Sequence, residues 1–193
     1  MLYWEGSIIE EMNMHTSIAL LRGINVNGQK MISMEKLRAL LEDLGLTGVT
    51  TYIQSGNAVF QSGAVKHYVL EKKIKEAIRD IFGFSVPVFV KTKEEWATIV
   101  MDNPFLKRRD ADISKLHVTF LSDTPNRLIV DDILAGEYGG DECIFSGKTV
   151  YLFCSNGYGK TKLSNSFFEK KTGLIATTRN WKTVLKLLEL AGA

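Results

Sequence analysis

The stretch VTTYIQSGNAVFQ (Val49–Gln61) decides the fold. Val49–Gln54 is a β-branched and aromatic run, Ser55-Gly56-Asn57 is turn chemistry, and Ala58–Gln61 resumes the extended pattern. Together they read as a β-hairpin. A helix is expected on each side of it. Upstream, Ser33 fits an N-cap with Glu35 in the first turn, Leu37, Leu40, Leu41 and Leu44 recur at helical spacing, and Gly45 stands where a helix-ending glycine belongs. Downstream, Leu70, Ile74, Ala77, Ile78 and Ile81 share a face over Val69–Phe82, and Gly83 ends that helix. Thr16–Leu21 reads as a buried strand and Val86–Val90 as another, Pro87 suiting an edge position. The order β-α-β-β-α-β is the ferredoxin-like pattern.

Working outward, Lys93–Met101 is a helix capped by Thr92, and Asn103-Pro104-Phe105 breaks it. The remainder repeats the order loosely. His117–Leu121 is a strand, and a helix opened by Thr124-Pro125 runs through Leu134 with proline at its first position. Cys143–Phe145 and Thr149–Cys154 flank a tight Ser146-Gly147-Lys148 turn. Leu163–Lys171 is a short helix closed by Gly173, and Leu174–Thr177 is a final strand. A helix from Arg179 or Asn180 to Ala191 turns Trp181, Val184, Leu185, Leu188 and Ala191 inward. The fold class is therefore α+β: two ferredoxin-like (βαββαβ) units in tandem, antiparallel sheets with helices packed on one face. The expected boundaries are 1–13 for an N-terminal extension, 14–92 for the first unit, 93–114 for a connecting helix and charged loop (Lys107–Asp112), and 115–193 for the second unit with its terminal helix.

Composition bounds the function classes. Apolar residues make up 45% of the 193, enough for two small cores, and no apolar run approaches the roughly 18 residues of a membrane span. Residues 1–13 lack a basic start and a long apolar core, so they do not read as a signal peptide. Cys143 and Cys154 sit in apolar runs and read as buried reduced thiols, which suits a cytoplasmic protein. His15, His67 and His117 are scattered, and no metal site is expected. The sequence names no cofactor and no oligomeric state.

Four polar segments are candidate sites. Leaving the first strand, Arg22-Gly-Ile-Asn-Val-Asn-Gly28 offers a two-pronged cation with Asn25 and Asn27, a set suited to a carboxylate or phosphate and also to plain turn chemistry. At the hairpin, Gln54, Ser55 and Asn57 are densely polar. In a βαββαβ plait the end of the first strand and this turn are expected at opposite or diagonal places. Cys154-Ser-Asn-Gly-Tyr-Gly-Lys-Thr161 ends like a P-loop, but Cys154 stands where the leading glycine belongs, and too little chain follows for such a nucleotide hydrolase. What survives is a glycine-rich turn at a helix N-terminus with Lys160 and Lys162, an anion site by type. Finally, Thr178-Arg179-Asn180 opens the last helix, where Arg179 opposes the dipole and Thr178 or Asn180 caps.

Several strings occur together in a fixed order: ALLRGINVNG (Ala19–Gly28), YIQSGNAVF (Tyr52–Phe60), NPF (Asn103–Phe105), HVTFL (His117–Leu121) and TTRNWKTVLKL (Thr177–Leu187). They resemble the bacterial family catalogued as domain of unknown function 1697, from about Met14 to the C-terminus. The resemblance implies a pair of ferredoxin-like units and supplies no activity. The glycine-rich stretch departs from the family's usual Pro-x-Gly and Ser-Lys-Leu, with Ser155-Asn156-Gly157 and Thr161-Lys162-Leu163 in their place.

The residue types favour a binding protein for a small anion, nucleotide or phosphorylated metabolite held between the halves, with donors from Arg22, Asn25, Gln54, Asn57, Lys160 and Arg179. Nucleic acid is a second reading, motivated by the basic C-terminal third and the plait, although the first strand has no aromatic, the third offers only Phe60, and Tyr151 and Phe153, which share a face in the second half, suit core packing. An enzyme is a third, and it would need an acid–base role for His117 or Tyr52. A purely structural or interaction role is the last.

Overall fold

The computed structural model describes residues 14–108 and 112–192. The expected N-terminal extension and part of the charged loop lie outside them. Element order is β1 (His15–Leu21), α1 (Met34–Asp43), β2 (Thr47–Tyr52), β3 (Asn57–Ser62), α2 (His67–Phe82), β4 (Val88–Thr92), α3 (Lys93–Met101), β5 (Leu116–Leu121), α4 (Arg127–Leu134), β6 (Glu142–Ser146), β7 (Thr149–Phe153), α5 (Asn165–Thr172), β8 (Ala176–Asn180) and α6 (Trp181–Gly192). Two compact units result. One extends to Ala97 and takes in Leu187–Ala193; the other is Thr98–Lys186.

Each unit holds a four-stranded antiparallel sheet, in the orders β2-β3-β1-β4 and β6-β7-β5-β8. Both are the ferredoxin-like order. In the first unit, Ala19, Leu21, Ala58, Phe60, Val88 and Val90 project from the sheet onto Leu37, Leu40 and Leu41 of α1 and Leu70, Ile74 and Ile78 of α2. Each of these larger side chains contributes about 1.5–3 kcal/mol by leaving water. In the second, Leu121, Val150 and Leu152 meet Ile133 of α4 and Phe168 of α5, with Cys143 and Cys154 in the same core. Burial pushes both thiols up to about 11, so they stay protonated.

Caps follow the sequence where the signal is local. Ser33 accepts from the Lys36 N–H at 3.2 Å, Thr92 from Glu95 at 3.2 Å, and Asn180 from Thr183 at 2.8 Å. Gly83 and Gly173 close their helices in the left-handed region.

Other expectations need correction. β2 ends at Tyr52, because Ile53 has φ +49 and turns the chain. α4 begins at Arg127 with Asn126 as its cap, so Pro125 precedes the helix rather than opening it. Ile81 is largely exposed, and it is Phe82 of the same turn that packs against the core. On α6 the buried set is Trp181, Thr183, Val184, Leu187 and Ala191, and Leu185 points outward; with leucines at 185, 187, 188 and 190, periodicity alone does not choose a face. The final strand reaches Asn180, so Arg179 pairs with Val118 on β5 and is not helical.

Candidate functional site

The sequence-selected residues fall in different units. Arg22, Asn25, Asn27, Gln54, Ser55 and Asn57 lie in the first; Lys160, Lys162, Arg179 and Asn180 lie in the second.

In the first unit the two polar loops converge, contrary to the expectation that they lie apart. β1 and β3 are antiparallel neighbours, so the chain entering β3 lies beside the chain leaving β1, with Leu20 opposite Asn57. The Leu21 N–H donates to the Gly56 carbonyl at 2.8 Å. Asn25 then ties the loops together. Its Nδ2 donates to the carbonyls of Ile32 and Gln54, both at 2.8 Å, and its Oδ1 accepts from the Ile32 N–H at 2.8 Å. Asn57 is fully buried, and its Nδ2 donates to the Tyr52 carbonyl at 2.9 Å and to Ser55 Oγ at 3.0 Å. Both asparagines, selected as ligand donors, therefore brace the loops. A third loop joins them: Arg22 N–H donates to the Pro87 carbonyl at 2.9 Å, and Lys30 Nζ to the Ser85 carbonyl at 3.1 Å.

This corner is held in an unusual backbone. Positive φ occurs at Gly23, Asn25, Asn27, Gly28 and Lys30 in one loop, and at Ile53 and Gly56 in the other. Asparagine tolerates that region, but for β-branched Ile53 it is a true outlier. Gly56 is required twice over. It has φ +78, and an added Cβ would stand 2.8 Å from both Leu21 Cβ and Ile24 Cδ1.

Charge at this corner has one sign in the loops themselves. Residues 22–33, 53–57 and 83–87 contain no carboxylate, and they carry Arg22, half-buried, and Lys30, exposed. The carboxylates nearest in sequence are Glu35, in the first turn of α1, and Asp80, which accepts from Arg79 at 3.0 Å. Lys30, Val26, Met31 and Ile53 were passed over in the sequence. A signal was present for the cation, since residues 12–34, 44–70 and 81–93 hold no acid, and these segments surround the loops.

In the second unit the picture differs. The glycine-rich turn does not open a helix. Tyr158–Lys160 is a single 3-10 turn followed by extended Thr161, and Ser164 caps α5. Several amides in and just after it are engaged: Gly157 N–H with Cys154, Lys160 N–H with Gly157, and Leu163 N–H with Thr161 Oγ1 at 3.0 Å. Lys160 and Lys162 are exposed. Arg179 is buried, and its Nη1 donates to Thr177 Oγ1 and the Thr178 carbonyl, each at 2.9 Å. Burial lowers its pKa to about 10, which leaves it a cation at neutral pH.

Nearby, His117 is 8% exposed and stacks on Tyr158, ring centroids 5.0 Å apart. His117 Nδ1 lies 3.1 Å from the Lys115 carbonyl, an acceptor only, so that nitrogen carries the hydrogen. Burial holds the His117 pKa below its ordinary value. The Tyr158 hydroxyl is buried without a well-aligned hydrogen bond, and burial raises its pKa. Thr119, Thr178 and Asn165 form a chain of hydrogen bonds at 2.7 Å each. These contacts fill the cluster from within the unit. Of the rings weighed for base stacking, Phe60 and Tyr151 are buried, the Tyr151 hydroxyl donating to the Ile99 carbonyl at 3.1 Å, and Phe153 is half-buried with its ring 6.2 Å from that of Phe105.

The family model described as a protein of unknown function, DUF1697, matches residues 14–151. The chain belongs to that family. Its fold is similar to that of the conserved bacterial protein SP0830 from Streptococcus pneumoniae, with a TM-score of 0.74 and 24% identity over 93% of this chain and 99% of that one. No curated protein matches the chain. Among the described residues, no helix is long and apolar enough to cross a membrane.

Proposed function

We propose that this DUF1697 protein binds a small anion of the phosphate or phosphorylated-metabolite class at the braced corner of its first unit. Arg22 and Lys30 supply the charge, and the N-terminus of α1, a few residues after Lys30, adds its dipole. The ligand site is thus read within one unit, and Lys160, Lys162, Arg179 and Asn180 are left out of it.

One observation carries the reading. The second unit closes the equivalent corner without any of this elaboration. There Leu121 N–H donates to the Lys148 carbonyl at 2.8 Å and Ser122 N–H to the Ile175 carbonyl at 2.9 Å, matching the bonds of Leu21 and Arg22. Yet the connection to the helix is only residues 122–126, no described non-glycine residue there has positive φ, and Lys148 Nζ is neutralised by Asp123 at 2.9 Å. The plait itself does not demand the long, left-handed, acid-free loop of residues 22–33. Strain beyond what folding needs is a marker of function.

Titration calorimetry with inorganic phosphate, pyrophosphate and ribose 5-phosphate tests this. Binding is expected for at least one, with roughly tenfold loss in Arg22→Ala, the scale of a charge-assisted hydrogen bond. A ligand at about 100 times its dissociation constant should also stabilise the fold by roughly 2.7 kcal/mol. Unchanged affinity in both Arg22→Ala and Lys30→Ala would overturn the proposal. A cytoplasmic location goes with the reading, supported by the two buried free thiols.

A further inference from the structure

Three exposed apolar side chains sit at the same corner. Val26 is 53% exposed, Met31 62% and Ile53 46%. Each belongs to a residue next to a group that Asn25 ties together: Val26 follows Asn25, Met31 precedes Ile32, and Ile53 precedes Gln54. Single exposed apolar residues are ordinary, but here three stand on loops that one asparagine side chain ties together, and the same loops carry Arg22 and Lys30. Ile53 is the most telling. At φ +49 the chain would take asparagine or glycine at little cost, and a β-branched side chain stands there instead, held toward water. Around these side chains, Asn27, Gln29 and Gln54 are exposed amides, each able both to donate and to accept.

From this we infer that the ligand carries a flat apolar ring system with a polar edge beside its anionic group, that is, a nucleoside phosphate. The inference rests on the anion reading above and narrows it. The phosphate meets Arg22 and Lys30, the face of the base covers Ile53, Val26 and Met31, and its edge meets the amides. The loops contain no carboxylate to repel the phosphate. Charge complementarity therefore favours this occupant over a neutral apolar partner.

The experiment is calorimetry on the full chain with pyrophosphate, ribose 5-phosphate and adenosine 5′-monophosphate, on wild type and Ile53→Asn. Asparagine keeps the left-handed backbone and removes only the apolar surface. The nucleotide is expected to bind roughly tenfold more tightly than ribose 5-phosphate, the scale of partial burial of an aliphatic side chain and a ring. Ile53→Asn should abolish that advantage and leave ribose 5-phosphate affinity unchanged. Equal affinities of nucleotide and sugar phosphate, or an advantage that survives Ile53→Asn, overturn the inference while the anion reading stands. Absence of binding by all three probes overturns both. A concentration-dependent dimer in sedimentation that Ile53→Asn abolishes overturns it in favour of a second copy of the chain. Binding of oligouridine without binding of the mononucleotide overturns it in favour of RNA.

Discussion

The two units of this chain fold the same plait and finish the same corner in opposite ways. In the second, residues 122–126 step from β5 to α4 through an ordinary asparagine cap, and Lys148 is paired with Asp123 across the corner. In the first, residues 22–33 wind through five positive-φ positions, are pinned by one asparagine side chain, and offer Arg22 and Lys30 with no carboxylate among them. Because both corners keep the same two backbone hydrogen bonds, the second unit serves as an internal control for what the fold requires. The excess in the first is what calls for a ligand.

The strongest way to break that comparison is at a turn glycine in each hairpin. Gly56→Ala forces a Cβ against Leu21 and Ile24, and the cost is expected to be on the order of 3 kcal/mol, whereas Gly147→Ala, with positive φ but nothing within 4 Å, should cost about 1 kcal/mol. Urea denaturation of both variants checks the ratio. Next, Asn25→Ala leaves two carbonyls and the Ile32 N–H without their partner and should cost about 2 kcal/mol, against about 1 kcal/mol for the simple cap Asn126→Ala. Comparable losses at both sites would mean that the first corner is no more tightly braced than the second.

Smaller and opposite in sign, Ile53→Gly should stabilise the fold by roughly 0.5–1 kcal/mol, because it relieves a left-handed β-branched residue. A gain in stability with a loss of nucleotide affinity would be the signature of strain kept for function. The smallest effect is expected at the exposed Lys148–Asp123 pair. Its hydrogen bond to Lys148 lowers the Asp123 pKa, so the stability it adds is present above the unfolded carboxylate pKa and is lost as pH falls through the folded one. Wild type and Asp123→Asn should accordingly converge in acid, as read from denaturation midpoints across pH.

Much of this was legible in the residues, for local reasons. The periodicity of α1, the Ser33 and Asn180 caps and the pairing of the hairpin strands all depend on neighbours within a few positions, and they occur as read. Errors arose where tertiary pairing overrode local chemistry. Thr-Thr-Arg-Asn reads as a helix start because threonine and asparagine cap well, but hydrogen bonding to β5 draws it into a strand and buries Arg179. Ile53 reads as strand because β-branched residues prefer it, and nothing in the string announces φ +49. Asn25 and Asn57 carry the residue types of ligand donors, and only coordinates reveal that their amides are already engaged inside the loops. The acid-free segments were visible throughout, yet they gain meaning only once the sheet order places the loops side by side.

Backbone amide chemical shifts, followed by NMR during a pyrophosphate titration, test the central claim most directly. The account predicts saturable shifts confined to residues 22–33 and 53–57, with residues 122–126 and 146–148 unmoved. Shifts of equal size at both corners, or shifts spread over the exposed lysines of the second unit alone, would contradict it.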